Sequence, residues 1–209
     1  MRLSLIGMSG SGKSYWSRKL AGRGFRRFCC DDLIAARLAP ELVQSDGSTL
    51  TVGEWLDFPY QPHYREREAL YLAHEVAVLT EILDHCDVWG DREGNVVVDT
   101  TGSVVYTGEE LLARLRRCTA VVHLATPAGV RERMLAAYLA KLRPVLWRGV
   151  FERQVGETAE QALARCYPVL LTSRERLYAQ CAHVTIDYHT RHGEGFDVDG
   201  LLERAAVRA

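Results

Sequence analysis

Residues 7–14 read Gly-Met-Ser-Gly-Ser-Gly-Lys-Ser and match the pattern G-x-x-x-x-G-K-[ST]. An apolar run precedes them and a segment without helix breakers follows, which is the strand, turn and helix context that this pattern requires. In such a turn, backbone N–H groups converge on anionic oxygens, and the helix dipole adds partial positive charge. We call the segment the phosphate loop and predict that it binds a nucleoside triphosphate, with the Lys13 ammonium on the β- and γ-phosphates. The predicted nucleotide contacts are Gly7, Ser9, Gly10, Ser11, Gly12, Lys13 and Ser14.

Two side chains are predicted to hold Mg²⁺ beside the nucleotide. The Ser14 hydroxyl is the group that this motif brings to the metal. Asp99 follows residues 96–98, an all-valine run typical of a buried strand, so its carboxylate is predicted to bind the metal directly or through water. A helix cap or a turn carboxylate is the alternative for Asp99.

Asp31 and Asp32 follow the predicted second strand, residues 25–30. In a parallel sheet, ligands bind beyond the carboxyl ends of the strands, so these aspartates are expected across a cleft from the phosphates. A carboxylate there can orient an acceptor hydroxyl and accept its proton as the γ-phosphoryl group leaves. Capping of the following helix is the competing role, and the sequence leaves both roles open.

Three arginines are candidates because of where they stand in the sequence. Arg143 ends a predicted helix and precedes Pro144, so a lid could carry it over the phosphates to stabilise the charge of the transferring group. Arg65 and Arg174 lie on predicted helices, where an arginine is more often a surface residue. The candidate catalytic residues are therefore Lys13, Asp31, Asp32 and Arg143.

Composition restricts the class of protein. The chain has 209 residues, 47% of them hydrophobic and 25% charged, which suits one globular domain. Its net charge of −1 gives no electrostatic support for a nucleic-acid or membrane partner, and no apolar run has the length of a membrane span. The first predicted strand starts at Leu3, which leaves no room for a signal peptide, so we expect a cytoplasmic protein. The six cysteines form no Cys-x-x-Cys pair and are expected to be reduced thiols.

Short apolar segments alternate with helical segments, which predicts an α/β fold with a parallel sheet covered on both faces. The predicted strands are residues 3–6, 25–30, 96–98, 120–124 and 183–187. The predicted helices are residues 13–21, 33–38 (closed by Pro40), 52–56, 64 to about 86, 109–117, 127 to about 142, 159–181 (interrupted or restarted at Pro168) and 198–207. Residues 91–95 are predicted as a turn. The long helix from Tyr64 is expected to have its apolar face at Leu70, Ala73, Ala77, Leu79 and Leu83.

Taken together, these residues resemble the shikimate kinase family of P-loop small-molecule kinases, over roughly residues 3–187. The phosphate loop is similar throughout. The paired aspartates after strand two look like residues 30 and 32, or 29 and 31, with a cysteine in the first place. The Phe-Arg-x-x-Glu segment looks like residues 64–68, and the triple-glycine turn matches residues 100–102 with one glycine retained. The lid Arg-Pro-Leu-Leu is similar to residues 143–146, and the late Arg-x-x-Leu-Tyr segment matches residues 174–178.

This resemblance implies a P-loop NTPase three-layer sandwich with a central parallel sheet of about five strands, helices on both faces and a mobile lid. Residues 1–209 would form a single kinase domain, with the lid at roughly 140–158 and a substrate-binding helical segment at roughly 31–85. The implied reaction is ATP- and Mg²⁺-dependent phosphorylation of a hydroxyl on a small carboxylated polyol, either shikimate or a related cyclic or sugar acid. By the same resemblance, Arg65 and Arg174 would bind the carboxylate, Asp31 or Asp32 would hold the acceptor hydroxyl, and the Gly102 N–H would contact the substrate.

The chain departs from the family pattern at the triple-glycine turn, where Thr100 and Thr101 add bulk, and in the longer segment 147–158 after the lid motif. Two alternatives therefore stay open. A nucleoside or nucleotide kinase shares the loop and the lid, and it would bind a phosphate-bearing acceptor with the same arginines. A catalytically degenerate nucleotide-binding regulatory protein is the other. We expect a monomer or a weak homodimer.

Overall fold

The computed structural model describes residues 1–89, 94–141 and 143–206. The predicted turn at 91–95 lies largely outside these residues, as do the helix ends predicted at Leu142 and Val207. The strands are β1 (Arg2–Ile6), β2 (Arg26–Cys29), β3 (Val96–Asp99), β4 (Ala120–Leu124) and β5 (Val184–Ile186). The helices are α1 (Lys13–Ala21), α2 (Cys30–Leu42), α3 (Val52–Leu56), α4 (Tyr64–Trp89), α5 (Glu109–Cys118), α6 (Ala128–Ala140), α7 (Ala159–Cys181), α8 (Tyr188–His192) and α9 (Val198–Ala206). No helix in the described part of the chain is both long and apolar enough to cross a membrane.

Within the described residues, the strands form one parallel sheet in the order β2-β3-β1-β4-β5. Central β1 pairs with both β3 and β4, with Leu3 opposite Val97 on one side and Ala120 on the other. Successive side chains point to opposite faces. Val97 therefore packs with α1 and α9, whereas Val96 and Val98 pack with α2, α4, α5 and α7. Apolar residues fill both faces, which confirms the predicted α/β architecture with a covered parallel sheet.

Two helices continue through a proline at which the sequence predicted a break. Helix α2 contains Pro40, and α7 contains Pro168. A proline inside a helix removes one backbone hydrogen bond. Buried side chains offset this loss, because Leu38 and Leu42 pack into the core on either side of Pro40, and Leu171 packs just after Pro168. The predicted breaks were wrong because tertiary packing outweighs the local preference of proline.

Helix α4 buries a different face from the predicted one over its first half. Leu70 and Ala73 are exposed, whereas two glutamates and two tyrosines are buried. The buried positions follow a spacing of three and four residues: Tyr64, Glu68, Tyr71, Glu75, Val78, Leu79, Ile82, Leu83 and Cys86. The prediction was wrong there because it followed hydrophobic residues alone, and polar side chains with hydrogen-bond partners can occupy a buried face.

An aromatic cluster holds the irregular segment after α6 against α4 and α7. Trp147 is 1% exposed, and its ring centroid lies 5.7 Å from that of Tyr167 and 6.3 Å from that of Tyr138. The Trp147 N–H donates to the Tyr64 hydroxyl at 2.9 Å, and Phe151 packs edge-on against the Trp147 ring. The predicted lid, roughly residues 140–158, therefore contains a buried anchor at Trp147.

We expect Trp147→Ala to lower the free energy of unfolding by about 3–5 kcal/mol, because it leaves a cavity among packed rings. Denaturant unfolding followed by circular dichroism measures the loss. Val155→Ala is the control, since Val155 lies in the same segment with a fully exposed side chain and should change stability by less than about 0.5 kcal/mol. Equal losses for the two variants would contradict an anchor at Trp147.

Candidate functional site

A cleft of about 780 Å³ lies at the carboxyl ends of the strands, between the phosphate loop and the first turn of α2. The residues at these strand ends are separated widely in the sequence, and the parallel sheet brings them to one edge. The predicted site residues that line the cleft are Ser9, Gly10, Gly12, Lys13, Ser14, Asp31, Asp32, Gly102 and Arg143. Most of the predicted site residues thus lie together.

Glycine is required in the phosphate loop by backbone conformation and by close packing. Gly7, Gly10 and Gly12 have φ angles of +141°, +81° and +97°, which other residues rarely adopt. A Cβ atom on Gly7 would also lie 2.9 Å from the carbonyl oxygen of Leu124 at the end of β4. The loop therefore lies directly against the sheet, and this contact keeps it beside the cleft.

Lys13 is buried within the phosphate loop. Its Nζ donates to the carbonyl oxygens of Gly7 and Met8, both at 2.9 Å. Burial lowers the pKa of the ammonium, and the nearby carboxylates of Asp31 and Asp99 oppose that shift. The position and charge of Lys13 suit a phosphate held by the loop.

Asp99 is 1% exposed and is paired with an arginine that the sequence analysis did not single out. Arg27 Nη2 and Ser17 Oγ both donate to Asp99 Oδ2, at 2.7 and 2.9 Å. Arg27 Nε also donates to Ser17 Oγ at 2.7 Å, which links β2, α1 and β3. Asp99 Oδ1 has no hydrogen-bond partner among the described residues. One oxygen of the carboxylate is used to hold the structure, and the other is free of protein donors.

Asp31 and Asp32 lie in the first turn of α2 and differ in their surroundings. The N-cap residue of α2 is Cys29, and no side chain caps this end, so the capping role left open by the sequence is not observed. Desolvation raises the pKa of Asp31, while the Lys13 ammonium opposes the shift. Both aspartates are exposed to solvent, and Asp32 Oδ2 lies 3.8 Å from Arg27 Nη1. Asp31 is therefore the aspartate that interacts with Lys13.

Arg143 lies between the cleft and a second pocket of about 250 Å³. Its Nη1 is 3.6 Å from the position that a Cβ on Gly10 would occupy, so its guanidinium lies close to the phosphate loop. The second pocket has Tyr188 in its wall, and the buried Thr126 Oγ1 and Arg191 Nε have no hydrogen-bond partner in the part of the chain that the structure describes. Sequence analysis did not predict this pocket, because its walls come from the ends of β4, β5 and α6.

The two arginines assigned to an acceptor carboxylate lie in different environments. Arg174 is 4% exposed, its Nη2 donates to the Leu146 carbonyl at 2.5 Å, and its Nε donates to the Tyr106 hydroxyl at 3.4 Å. Its Nη1 is 3.6 Å from the position that a Cβ on Gly102 would occupy, and Gly102 lines the cleft. Arg65 is exposed on α4 and does not line the cleft. The structure therefore brings Arg174, but not Arg65, to the other site residues.

A buried glutamate beside Gly102 is a site feature that sequence analysis missed. Glu75 accepts hydrogen bonds from the hydroxyls of Thr101 and Ser103, the residues on either side of Gly102. Burial raises the pKa of Glu75 to about 7, and these hydroxyls and Arg174 oppose the shift. Its spacing of four from Tyr71, which lines the cleft, is the signal that could have identified it.

Comparison with known proteins identifies the fold. No protein-family model and no curated protein sequence matches the chain. A shikimate kinase from Acinetobacter baumannii, in complex with shikimate, matches with a TM-score of 0.57 and 22% identity over 98% of this chain and 90% of that one. A shikimate kinase from Bacteroides thetaiotaomicron matches with a TM-score of 0.61 and 20% identity over 98% and 95%. A shikimate kinase from Aquifex aeolicus matches with a TM-score of 0.52 and 16% identity over 99% of this chain and 94% of that one.

The chain has the shikimate kinase fold. The resemblance predicted from the motifs is confirmed for the fold. The predicted P-loop NTPase sandwich is confirmed as well. The matches cover nearly the whole of this chain and of each of the three shikimate kinases.

We expect Arg27→Met to lower the free energy of unfolding by about 2–3 kcal/mol, because it leaves the buried Asp99 carboxylate without its cation. The value is at the low end for buried ion pairs, since the Arg27 side chain is 20% exposed. Urea unfolding measures the change. Arg37→Met is the matched control, because the ion pair of Arg37 with Glu81 is largely in water and should contribute less than about 1 kcal/mol. A loss no larger than that of the control would mean that Asp99 does not need Arg27.

Proposed function

We propose that this chain is an ATP- and Mg²⁺-dependent phosphotransferase that acts on a hydroxyl of a small molecule. One observation carries the proposal: Lys13 of the phosphate loop and Asp31 of α2 line the same cleft and interact electrostatically. The cleft thus has a cation for the phosphates of one substrate and a carboxylate for the hydroxyl of the other. The neighbours of the same fold are shikimate kinases, which supports this pairing.

The nucleotide side of the proposal combines the phosphate loop with the second pocket. The phosphate loop would hold the triphosphate, and the 250 Å³ pocket beside Ser9 and Gly10 would receive the base. Tyr188 offers an aromatic ring to the base, and Thr126 Oγ1 and Arg191 Nε offer buried polar atoms without partners. Arg143, between the two spaces, would stabilise the charge on the γ-phosphoryl group.

The residues at the cleft fit a magnesium ion that is shared with the nucleotide. Among the described residues, no three His, Cys, Asp or Glu side chains converge on a metal site of their own. Ser14 supplies a hydroxyl in the cleft, and Asp99 supplies a buried oxygen, Oδ1, without a protein donor. Such oxygen ligands suit Mg²⁺, which in kinases takes most of its other ligands from phosphates and water. When bound, the ion neutralises charge on the phosphate oxygens.

On the acceptor side, Asp31 is the better supported base. Its pKa is raised by desolvation, and a more basic carboxylate accepts a hydroxyl proton more readily. In the proposed reaction, the acceptor hydroxyl transfers its proton to Asp31, and its oxygen forms a bond to the γ-phosphorus. The bond from that phosphorus to the β,γ-bridging oxygen breaks, and ADP leaves with the bonding electrons. Asp32 would orient the acceptor from the exposed rim of the cleft.

The proposed acceptor is a small carboxylated polyol, shikimate or a related cyclic or sugar acid. Two observations support it. Arg174 packs behind Gly102, which lines the cleft, and is the buried cation nearest to the turn where the acceptor would lie. A structural neighbour of the same fold is recorded in complex with shikimate.

Lys13→Ala should lower turnover by about 10²–10³-fold or more, because it removes the charge that stabilises the transferring phosphoryl group. The measurement is ADP release from Mg-ATP in a coupled assay, with and without shikimate. Lys19→Ala is the matched control, since Lys19 is an exposed lysine on the same helix and should leave the rate unchanged.

Activity of Lys13→Ala at the rate of the Lys19→Ala control would overturn the nucleotide site. ATP hydrolysis that shikimate does not accelerate would overturn shikimate as the acceptor and leave the phosphotransferase proposal to be tested with sugar acids. Absence of any ATP turnover or binding by the unaltered chain would overturn the enzyme itself.

Arg174→Lys should raise the acceptor KM by about 10–100-fold, because lysine cannot make the bidentate contact of a guanidinium with a carboxylate. Arg65→Ala is expected to leave that KM unchanged, since Arg65 is exposed outside the cleft. Steady-state kinetics with shikimate, together with the melting temperature of each variant, measure both effects. A raised acceptor KM in Arg65→Ala together with an unchanged KM in Arg174→Lys would instead support carboxylate binding by Arg65, as the motif at residues 64–68 implies.

A further inference from the structure

Glu75 is a buried carboxylate that the proposed reaction does not use directly. It is 2% exposed on α4, and its Oε2 accepts a hydrogen bond from Ser103 Oγ at 2.6 Å. Its Oε1 accepts from Thr101 Oγ1, and the Ser103 N–H donates to that same hydroxyl at 3.0 Å. Glu75 thus holds the residues on both sides of Gly102.

The turn at Gly102 is also held from its other sides. The Tyr178 hydroxyl donates to the Gly102 carbonyl. A Cβ on Gly102 would lie 3.3 Å from the Ser9 amide nitrogen and 3.6 Å from Arg174 Nη1, so the turn packs against the phosphate loop and against Arg174. No described hydrogen bond uses the Gly102 N–H, and Gly102 lines the cleft. The position of that N–H donor depends on the residues that hold the turn.

The departure from three glycines has a structural consequence at this turn. Thr100 Oγ1 donates to the Leu5 carbonyl at 2.8 Å, and Thr101 is 1% exposed with its hydroxyl on Glu75. The added side chains therefore point away from the cleft, and their hydroxyls are satisfied. A buried hydroxyl without a partner would be costly, so Thr101 and Ser103 need an acceptor such as Glu75.

Several titratable and charged groups face Glu75 from the elements around it. Arg174 favours the charged carboxylate and Asp31 opposes it, while burial raises the pKa to about 7. The other groups that interact with Glu75 electrostatically are Lys13 on α1, Cys30 on α2, Tyr71 on α4 itself and Tyr178 on α7. The ionised form accepts from both hydroxyls, whereas protonation takes away part of that acceptor capacity.

We propose that Glu75 is a positioning residue of the acceptor site: through the hydroxyls of Thr101 and Ser103 it holds the Gly102 N–H in the cleft wall. The role in catalysis rests on the proposed function, but the role in holding the turn does not. Loss of the carboxylate should therefore affect the acceptor and leave the nucleotide unaffected.

Glu75→Gln tests the catalytic consequence, with shikimate as the acceptor probe. We expect kcat/KM for the acceptor to fall by about 10–100-fold while the KM for ATP stays unchanged, because a small displacement of a binding group has effects of this size. Glu81→Gln is the matched control, since Glu81 is an exposed glutamate on the same helix that pairs with Arg37 and does not line the cleft. The control should leave acceptor kcat/KM unchanged.

A double-mutant comparison tests whether Glu75 acts through the two hydroxyls. Thr101→Val with Ser103→Ala removes both donors and keeps the glutamate. If Glu75 acts through them, adding Glu75→Gln to this variant should cause little further loss, because residues in one network are not additive. Independent, additive losses would overturn the proposed route.

A measurement without turnover tests the turn itself. Only Gly102 and Gly108 follow a threonine in this chain, so ¹⁵N-glycine with ¹³C-carbonyl threonine isolates their two amide signals in an NMR spectrum. The Gly102 signal should shift with pH with a midpoint near 7 in the unaltered protein and lose this step in Glu75→Gln, whereas Gly108, which is exposed, should not report it. An identical Gly102 titration in both proteins would overturn the proposal, even if the chain proves to have no kinase activity.

Melting temperatures measured against pH distinguish a folded Glu75→Gln variant with a displaced turn from a misfolded one. The folded-state pKa of Glu75 lies above its unfolded value, so ionisation of the buried carboxylate costs stability as the pH rises towards and through about 7. Glu75→Gln has no such cost. The melting temperature of the variant relative to the unaltered protein should therefore rise between about pH 4.5 and pH 7, the window of this shift. A difference that falls over this range would contradict the buried, ionisable state on which the turn depends.

Discussion

The close contact of the phosphate loop with the ends of two neighbouring strands is the constraint on which the site depends. Gly7 packs against the Leu124 carbonyl at the end of β4, and Gly102 packs against the Ser9 amide from beyond β3. Neither position leaves room for a side chain without movement of backbone. The phosphate loop, Asp99 and the turn at Gly102 are therefore fixed relative to one another by the sheet. Their geometry follows from strand order, since β1 lies between β3 and β4.

Buried charges around this contact are compensated in pairs or by hydroxyls. Asp99 is balanced by Arg27 and Ser17, and Glu75 is held by two hydroxyls near Arg174. Lys13 is satisfied by loop carbonyls. A charge removed from water must be paired or hydrogen-bonded, so each of these groups restricts its neighbours. Lys13 thus lies within the phosphate loop, Asp31 lines the same cleft from α2, and Arg174 lies beside the turn at Gly102.

The rotation of α4 decides which of its side chains lie beside the cleft. The Tyr64 hydroxyl lies 2.8 Å from Glu68 and 2.7 Å from the Val145 carbonyl, and it also accepts from the Trp147 N–H. These contacts turn Tyr64 and Glu68 inward and leave Arg65, one residue along, exposed. The same rotation, two turns later, buries Tyr71 and Glu75 beside the cleft. Packing at Tyr64 and Trp147 thus selects which residues of α4 lie beside the cleft.

The sequence by itself determined what depends on neighbouring residues. The phosphate loop is recognisable because its glycines, lysine and serine act through consecutive backbone positions, and the apolar strands are recognisable because both faces of a parallel sheet are buried. These signals predicted the α/β sheet and a site at its strand ends. In the structure, six of the residues chosen in this way line one cleft: Lys13, Ser14, Asp31, Asp32, Gly102 and Arg143. The roles of those residues stay predictions.

Only the tertiary structure decided what depends on contacts between distant segments. Arg27 pairs with Asp99 across 72 positions, and Glu75 meets Ser103 across 28. The buried face of α4 begins with polar side chains whose partners lie on other elements, so hydrophobicity could not identify it. The sequence also could not identify the second pocket, because its walls come from separate strand ends and from α6. A residue's local pattern gives its conformation, but the cost of burying its charge or hydroxyl depends on which distant group it meets.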